Sequence, residues 1–350
     1  MNSMNRIGLG CMGMARRNEE SSIRTVDTAL DHGVTMFNVG EFYNGGESEI
    51  VLGNALRQHP RDKYFVSVKF GALPSREALY GVDMNPFNVR AHLTYSLSRL
   101  GLDYVDLYEP ARMDDAYSVE EVIEAINELV KEGLVRHVGM TECTAEELRR
   151  GNEICPIKYF EKEYSLLSRK MEEEDLPTCR ELGIPVVAYG LLGHGLLTDG
   201  FATGVSTPHI LPFLFRPEDM EHNRAIVQQL KEMADGKGCS TSNIAVAWVL
   251  QKNPDMLAIV GTTHPDHLTD SLKALDIKLN EEEMQAIGEI FAPGRVRGGV
   301  LPKMHYKNGK YEGKEKNTQS RRGRAGTHQP SPHENYVRRD GTHGTAITSR

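Results

Sequence analysis

The chain has 350 residues, of which 39% are hydrophobic, and a formal net charge of −8 at pH 7. This length and apolar content suit one large α/β barrel or two smaller domains, and the negative charge argues against nucleic acid as the main partner. No apolar run approaches the roughly 20 residues that a membrane helix needs, which argues against a membrane protein.

Eight short apolar runs rich in β-forming residues alternate along the chain with segments of helical periodicity. The predicted strands are Ile7–Gly10, Val34–Asn38, Tyr64–Lys69, Asp103–Glu109, Val135–Met140, Ile157–Glu161, Pro185–Gly190 and Leu257–Gly261. Strict alternation of strand and helix indicates parallel strands joined by helical crossovers. Eight such units predict an α/β protein with a single (β/α)8 barrel over residues 5–300.

The clearest predicted helix is Ser118–Lys131, with acidic residues on one face. Its other face is formed by apolar residues at intervals of three and four positions, namely Val119, Val122, Ile123, Ile126 and Leu129. Three further segments have a similar pattern, namely Phe87–Leu100, Ala145–Asn152 and Glu172–Leu182.

The composition changes after Lys310. Residues 311–350 contain almost no aliphatic side chains, and their eight Lys or Arg against four Asp or Glu give +4, which leaves −12 on the rest. Such a segment cannot bury enough apolar surface to offset its chain entropy, so we expect a disordered basic tail. The tail could bind an acidic partner, although a solvated tail without a binding role is the simpler interpretation.

The cysteine pattern and the N-terminus favour a cytoplasmic location. Five cysteines are scattered along the chain without a CxxC pair, and the first ten residues lack the basic-then-apolar pattern of a signal peptide. No HExxH motif or acidic cluster indicates a metal site. No GxGxxG motif follows a strand, which argues against a Rossmann site.

In a barrel, chemistry takes place where the strands end and the loops toward the helices begin. Lys69 ends the alternating run YFVSVKF and should point into the barrel mouth, although a lysine snorkelling at a strand end would fit the same pattern. The other polar candidates at predicted strand ends are Asn38, Tyr43, Glu109, Arg112, Thr141–Glu142, Glu161–Tyr164 and Gly190–His194.

Several segments, in order along residues 5–290, resemble the aldo-keto reductase family. The segment ALDHGVTMFNVGEFYNGGESEIVLGNAL is similar to the family signature, in which a strand ends in Phe-Asp-Thr-Ala and a Tyr-Gly pair follows. The other similar segments are GLGCMGM, VSVKFG, DYVDLYEPARMD, VGMTE, EKEYSLLSR, AYGLLGHGLLT and AIVGTTHPDHLTDSLKAL. Many ordered matches are more specific than any single motif.

The resemblance implies reduction of an aldehyde or ketone by hydride from NADPH. In the family a tyrosine donates the proton, a lysine lowers the pKa of that tyrosine, an aspartate holds the lysine, and a histidine orients the carbonyl. The tyrosine corresponds to Tyr43 and the lysine to Lys69. A free phenol has a pKa of about 10, and a nearby ammonium group pulls that value toward the useful range.

Two of these four positions depart from the family pattern, because Asn38 stands at the aspartate position and Ala111 at the histidine position. Without the carboxylate, Lys69 should lower the pKa of Tyr43 more strongly, yet it is also freer to lose its own proton; the sequence leaves this open. Loss of the histidine removes a donor of a kind often worth roughly 10²-fold in rate, and Arg112 or water is a candidate replacement. These departures resemble a subgroup with similarity to pyridoxal reductases.

The resemblance also implies a cofactor site around the nicotinamide and the pyrophosphate. Tyr164 corresponds to a tyrosine that stacks on the nicotinamide, and Thr141 to a hydroxyl that binds its carboxamide. Glu161 stands where the family often has a glutamine, and a carboxylate can accept from the amide but cannot donate to it. The loop near the pyrophosphate is formed by Gly190, Leu192, Gly193 and Gly195.

At the adenosine end, Gly261, Thr262 and His264 replace a segment that usually holds lysine or arginine. Those cations clamp the 2′-phosphate of NADPH, whereas a histidine carries less positive charge at neutral pH. Asp270 and Ser271 correspond to a pair that contacts adenine. The sequence therefore predicts NADP(H) and leaves use of NAD(H) open.

The leading hypothesis is an NADP(H)-dependent carbonyl reductase with a small-molecule carbonyl substrate, in which Tyr43 donates the proton, Lys69 modulates it and Asn38 positions Lys69. The alternative is a barrel that binds the dinucleotide with little turnover and acts as a sensor, which the departures at Asn38 and Ala111 motivate. A pyridoxal-like aldehyde is the first substrate to test, and the oligomeric state stays open.

Overall fold

The computed structural model describes residues 5–74, 79–205, 215–298 and 304–314, and its strands alternate with helices. The strands are β1 (Ile7–Gly10), β2 (Met36–Gly40), β3 (Phe65–Phe70), β4 (Ala72–Pro74), β5 (Leu79–Val82), β6 (Val105–Pro110), β7 (Val135–Thr141), β8 (Ile157–Glu163), β9 (Val186–Tyr189), β10 (Leu257–Gly261), β11 (Met304–Lys307) and β12 (Lys310–Lys314).

Eight of these strands form a closed parallel barrel in the order β1-β2-β3-β6-β7-β8-β9-β10, with β10 pairing to β1. All eight strands predicted from the sequence are present, and their ends differ from the predicted ends by two residues or fewer. The predicted (β/α)8 barrel is therefore confirmed.

The helices in the described part of the chain connect the strands. They are α1 (Glu19–Asp31), α2 (Glu47–Leu56), α3 (Pro86–Leu100), α4 (Val119–Lys131), α5 (Ala145–Ile154), α6 (Asp175–Leu182), α7 (Asp199–Ala202), α8 (Met220–Lys237), α9 (Thr241–Lys252), α10 (Pro265–Leu272) and α11 (Glu281–Ile290). Helix α4 begins with a capping box between Ser118 and Glu121, and its predicted apolar face is buried. No described helix is long and apolar enough to cross a membrane.

Alternation along the strands divides their side chains between the barrel interior and the helical layer. Outward-facing residues such as Phe37, Val66 and Phe160 belong to the main hydrophobic core, which continues into the helices. A separate small cluster inside the barrel consists of Met36, Val187, Leu257 and Ile259. The carboxyl end of the interior, above this cluster, is polar.

The strand register places that polar layer. Lys69 of β3 pairs with Glu109 of β6, and Thr141 of β7 pairs with Glu161 of β8. Because paired residues on neighbouring strands point to the same side of a sheet, these side chains project together into the barrel.

A second sheet, with the order β11-β12-β5-β4, was not predicted from the sequence. Strand β4 follows β3 after a single residue, so this sheet starts at the carboxyl end of the barrel. Asp114 accepts a hydrogen bond of 2.7 Å from the backbone of Gly309 and ties the β11–β12 hairpin to the loop after β6. Residues 311–314, assigned to the tail from composition, belong to β12, and the predicted disorder of 315–350 falls outside the described residues.

Helices α2 and α3 approach each other most closely at Gly53. A Cβ atom added there would lie 2.8 Å from the Cα of Leu100 and closer to its carbonyl group, and a backbone cannot move aside as a side chain can. We therefore expect Gly53→Ala to lower the free energy of unfolding by about 1–3 kcal/mol or more. Chemical denaturation measures this, with Gly236→Ala, in open space on α8, as the control that should be neutral or slightly stabilising. A Gly53→Ala protein as stable as wild type would contradict the close approach.

Candidate active site

The polar layer is organised around Lys69, which is only 4% exposed. Its Nζ donates to Asn38 Oδ1 at 2.5 Å and forms an ion pair with Glu161 Oε1 at 3.1 Å. Asn38 Nδ2 in turn donates to Glu161 Oε2 at 2.5 Å. Three side chains from β2, β3 and β8 thus form a closed triangle across the barrel.

Glu109 and Ser67 extend this network on the β6 side. Ser67 Oγ donates to Glu109 Oε1 at 2.8 Å. Burial raises the pKa of Glu109 well above the ordinary carboxyl value, and the nearby Glu161 raises it further, while Lys69 opposes both. Its surroundings therefore favour the protonated, uncharged form of Glu109.

Lys69 stays charged because its acidic neighbours favour the ammonium form more than burial disfavours it. Burial works to lower its pKa, but Glu161, Tyr43 and Glu109 outweigh burial, so the pKa of Lys69 is raised. Lys69 and Glu161 form the ion pair of the buried cluster, and the raised pKa of Glu109 favours the uncharged form of this second carboxyl group. This balance makes the burial of the cluster tolerable, because an unpaired charge in a barrel interior is costly.

Tyr43 lies beside this cluster in the turn after β2. Lys69 Nζ is 5.5 Å from the centre of the Tyr43 ring, so its positive charge acts directly on the phenol. Burial raises the pKa of Tyr43, whereas Lys69 lowers it and Glu161 raises it again; the net shift is upward. The phenol thus keeps its proton at neutral pH and can act as a proton donor.

Ala111 and Arg112 follow β6. Ala111 is buried, and its backbone donates to the carbonyl of Phe70 at 2.8 Å. The half-buried Arg112 is close enough to Tyr43 and Tyr189 for its positive charge to work against the raised pKa of both phenols. Arg112 therefore brings a cation to the mouth, next to the position where the family has its histidine.

Tyr189, at the end of β9, is the tyrosine that sequence reasoning missed. It is half-buried, packs against the interior cluster and pairs in register with Glu163. Its hydroxyl donates to Glu142 Oε1 at 2.7 Å. A signal was present in the sequence, since Tyr189 is the last residue before Gly190 in the predicted strand and alternates in phase with Val187.

Tyr164 lies elsewhere than predicted. It is fully buried outside the barrel, with its ring centre 6.4 Å from that of Trp248 on α9. Its hydroxyl donates to Glu172 at 2.7 Å, and Asn253 donates to it at 3.3 Å. Glu163 points into the barrel, so the next residue must point outward. The predicted nicotinamide stack does not fit this position.

Thr141, at the end of β7, is 1% exposed and points to the same side as Glu161. Within the described residues, its hydroxyl oxygen has no hydrogen-bond partner. Buried hydroxyl groups are rarely left unpaired, so this one is available to a bound amide. Glu161 differs, because both of its carboxylate oxygens are already engaged.

The loop after β9 is a tight turn. The backbone of Gly193 donates to Gly190, and that of Gly195 to Leu192, at 2.9 and 3.0 Å. His194 in this loop lies 3.0 Å from Glu163 Oε1 through its Nε2. The predicted loop residues are therefore together, on the side of the mouth next to Tyr189.

The predicted adenosine-end residues divide into two groups. Gly261, the last residue of β10, and His264 beyond it are exposed, and Thr262 Oγ1 accepts from the backbone of His264 at 3.1 Å. The ring of His267, which sequence reasoning did not single out, is 5.1 Å from that of His264. These groups are open to a ligand.

Asp270 and Ser271, by contrast, are bonded within the protein. Asp270 accepts from Ser240 at 3.0 Å at the start of α9, and from Lys273 at 3.0 Å. Ser271 is buried and donates to the carbonyl of His267 at 2.8 Å. No group of metal-ligating side chains was found in the described part of the chain.

Residues 6–292 match the model of the aldo/keto reductase family. A probable aldo-keto reductase of Glycine max is 33% identical over 304 residues, which is 85% of this chain and 88% of that protein. The glycerol dehydrogenase structure from Gluconobacter oxydans has a TM-score of 0.75 at 25% identity and covers 83% of this chain and 93% of its own. An aldo-keto reductase from Klebsiella pneumoniae in complex with NADPH has a TM-score of 0.67 at 25% identity, covering 85% and 95%.

The buried position of Tyr164 has a measurable consequence. Tyr164→Phe removes the hydroxyl that bonds Glu172 and Asn253, which should lower the free energy of unfolding by about 1 kcal/mol. Thermal or urea denaturation measures the change. Tyr95→Phe is the matched control, because Tyr95 is exposed on α3 and its hydroxyl is in water. Equal stability of Tyr164→Phe and wild type would contradict the buried hydrogen bonds.

Proposed function

The chain belongs to the aldo/keto reductase family, and on this premise we propose that it reduces an aldehyde or ketone to an alcohol with hydride from NADPH. The observation that carries the proposal is the position of Tyr43 at the barrel mouth, with its ring centre 5.5 Å from Nζ of the buried Lys69. A phenol held near an ammonium group can donate a proton to a carbonyl oxygen as hydride arrives. The carbonyl carbon would take the hydride and the carbonyl oxygen the proton, which leaves Tyr43 as a phenolate beside the ammonium group of Lys69.

The residues around the mouth fit NADP(H). Tyr189 offers an aromatic ring for the nicotinamide, and the unpaired hydroxyl of Thr141 suits the carboxamide. The backbone of the loop Gly190–Gly195 lies beside them, and the exposed His264 and His267 supply imidazole N–H donors for a 2′-phosphate. When bound, the cofactor supplies the hydride, and the protein orients it.

In this proposal, Arg112 partly replaces the histidine that the family has at the position of Ala111. Its positive charge lies near Tyr43 on the side where Ala111 has no polar group. A cation there stabilises negative charge that develops on the carbonyl oxygen and leaves proton transfer to Tyr43.

Replacement of the proton donor is the direct test. Tyr43→Phe keeps the ring and removes the acid, so turnover should fall by roughly 10²-fold or more. The assay follows NADPH absorbance with pyridoxal and several aromatic aldehydes, and calorimetry checks that the variant still binds NADP⁺. Tight cofactor binding by wild type without turnover of any aldehyde would favour the sensor hypothesis. Equal turnover by wild type and variant would remove Tyr43 as the donor.

The assignment of the nicotinamide platform to Tyr189 is testable by binding. Tyr189→Ala should weaken NADP⁺ binding by about fivefold, since an aromatic contact of this kind is worth roughly 1 kcal/mol. Tyr189→Phe keeps the ring and should bind nearly as wild type, and Tyr164→Phe should leave the Kd unchanged. A Tyr189→Ala protein that binds NADP⁺ as tightly as wild type would overturn the assignment.

A further inference from the structure

The carboxylate that neutralises Lys69 comes from an unexpected strand. Glu161 Oε1 is 3.1 Å from Lys69 Nζ, and the two residues are 4% and 5% exposed at the side chain. Asn38, where the family pattern has its aspartate, contributes only an uncharged amide oxygen to Lys69.

The orientation of the Asn38 amide follows from its two partners. Its oxygen accepts from Lys69, and its nitrogen donates to Glu161 Oε2 at 2.5 Å. An aspartate in this position would place a second carboxylate oxygen against Glu161, which is repulsive in a buried site. The amide at 38 and the carboxylate at 161 therefore require each other.

Compared with the family pattern, the two functional groups have changed places. The pattern has a carboxylate on β2 and, at the position of Glu161 on β8, a carboxamide; this chain has the carboxamide on β2 and the carboxylate on β8. We infer that Asn38 and Glu161 are a reciprocal exchange, in which Glu161 is the counter-ion and positioning residue of Lys69 and Asn38 bridges the two. The inference rests on the proposed function only where turnover is concerned.

Two other assignments fit the contacts less well. Glu109 is the other carboxyl group near Lys69, but its Oε1 accepts from Ser67, and within the described residues the ion pair of Lys69 is with Glu161. Burial and Glu161 also raise the pKa of Glu109, which favours its uncharged form. Glu161 as a ligand of the nicotinamide carboxamide conflicts with its geometry, because Lys69 and Asn38 already engage both oxygens. The amide ligand is better supplied by Thr141, whose hydroxyl has no partner in the described part of the chain.

The exchange has a consequence for the proton donor. Glu161 raises the pKa of Tyr43, while Lys69 lowers it, so the ion pair limits how far the lysine can favour the phenolate. Moving the carboxylate back to β2 keeps one positive and one negative charge beside Tyr43. Removing or doubling the carboxylate does not, and leaves a buried charge without compensation.

The experiment is a charge-exchange cycle with Glu161→Gln, Asn38→Asp and the double variant. Each single variant should lower the Tm by about 5 °C or more, because it unbalances a buried ion pair. Each should also lower kcat by at least about tenfold through the changed Tyr43 environment. The double variant, which restores one carboxylate and one amide, should recover most of both losses. Glu153→Gln, on an exposed part of α5, controls for loss of a negative charge.

The outcomes separate this inference from the proposed function. The Tm measurements on the three variants need no turnover, so they test the ion pair between Lys69 and Glu161 even if no aldehyde is reduced. Additive losses in the double variant, or a Glu161→Gln protein with wild-type Tm, would overturn the exchange. If Glu161 instead held the carboxamide, Glu161→Gln would alter the Kd of NADP⁺ and leave Tm unchanged; we expect a loss of kcat with little change in that Kd.

Discussion

A lysine inside a barrel needs a counter-charge, and the polar end of this barrel is arranged to supply one to Lys69. The ammonium group has left water almost completely, so its charge is tolerable only with a carboxylate and hydrogen bonds nearby. Glu161 supplies the negative charge, and Asn38 forms a hydrogen bond with each member of the ion pair. The pKa of the second carboxyl group, Glu109, is raised by burial and by Glu161, which favours its uncharged form. The state of Tyr43 follows from this balance.

The barrel register makes the cluster feasible. The contributing side chains come from β2, β3, β6 and β8, and Asn38 and Glu161 are 123 residues apart in the chain. Space for them depends on a missing side chain, since a Cβ at Gly139 on β7 would lie 2.7 Å from Glu109 Oε2 and 3.1 Å from Leu107. The packing at this end of the barrel therefore determines which polar side chains can lie there.

Strand alternation separates function from packing over a single residue. Glu163 points into the mouth, where His194 and the β9 loop lie, whereas Tyr164 points outward to Trp248 and Glu172. On β9 the same rule turns Tyr189 inward. One strand thus contributes a polar wall to the mouth and an aromatic contact to the helical core, and a shift of one residue in phase would exchange them.

The sequence by itself determined the barrel and its eight strands, and it predicted Tyr43 and Lys69 together at the barrel mouth, because apolar periodicity and ordered family-like segments are local signals. It did not determine which carboxylate pairs with Lys69, which tyrosine faces the mouth, or that the hairpins β4–β5 and β11–β12 join in one sheet. Those outcomes depend on the phase of each strand at its end and on barrel closure, which bring distant side chains within hydrogen-bond distance. Asn38 in the sequence indicates a lost charge, and only the tertiary structure shows that the charge is present on β8.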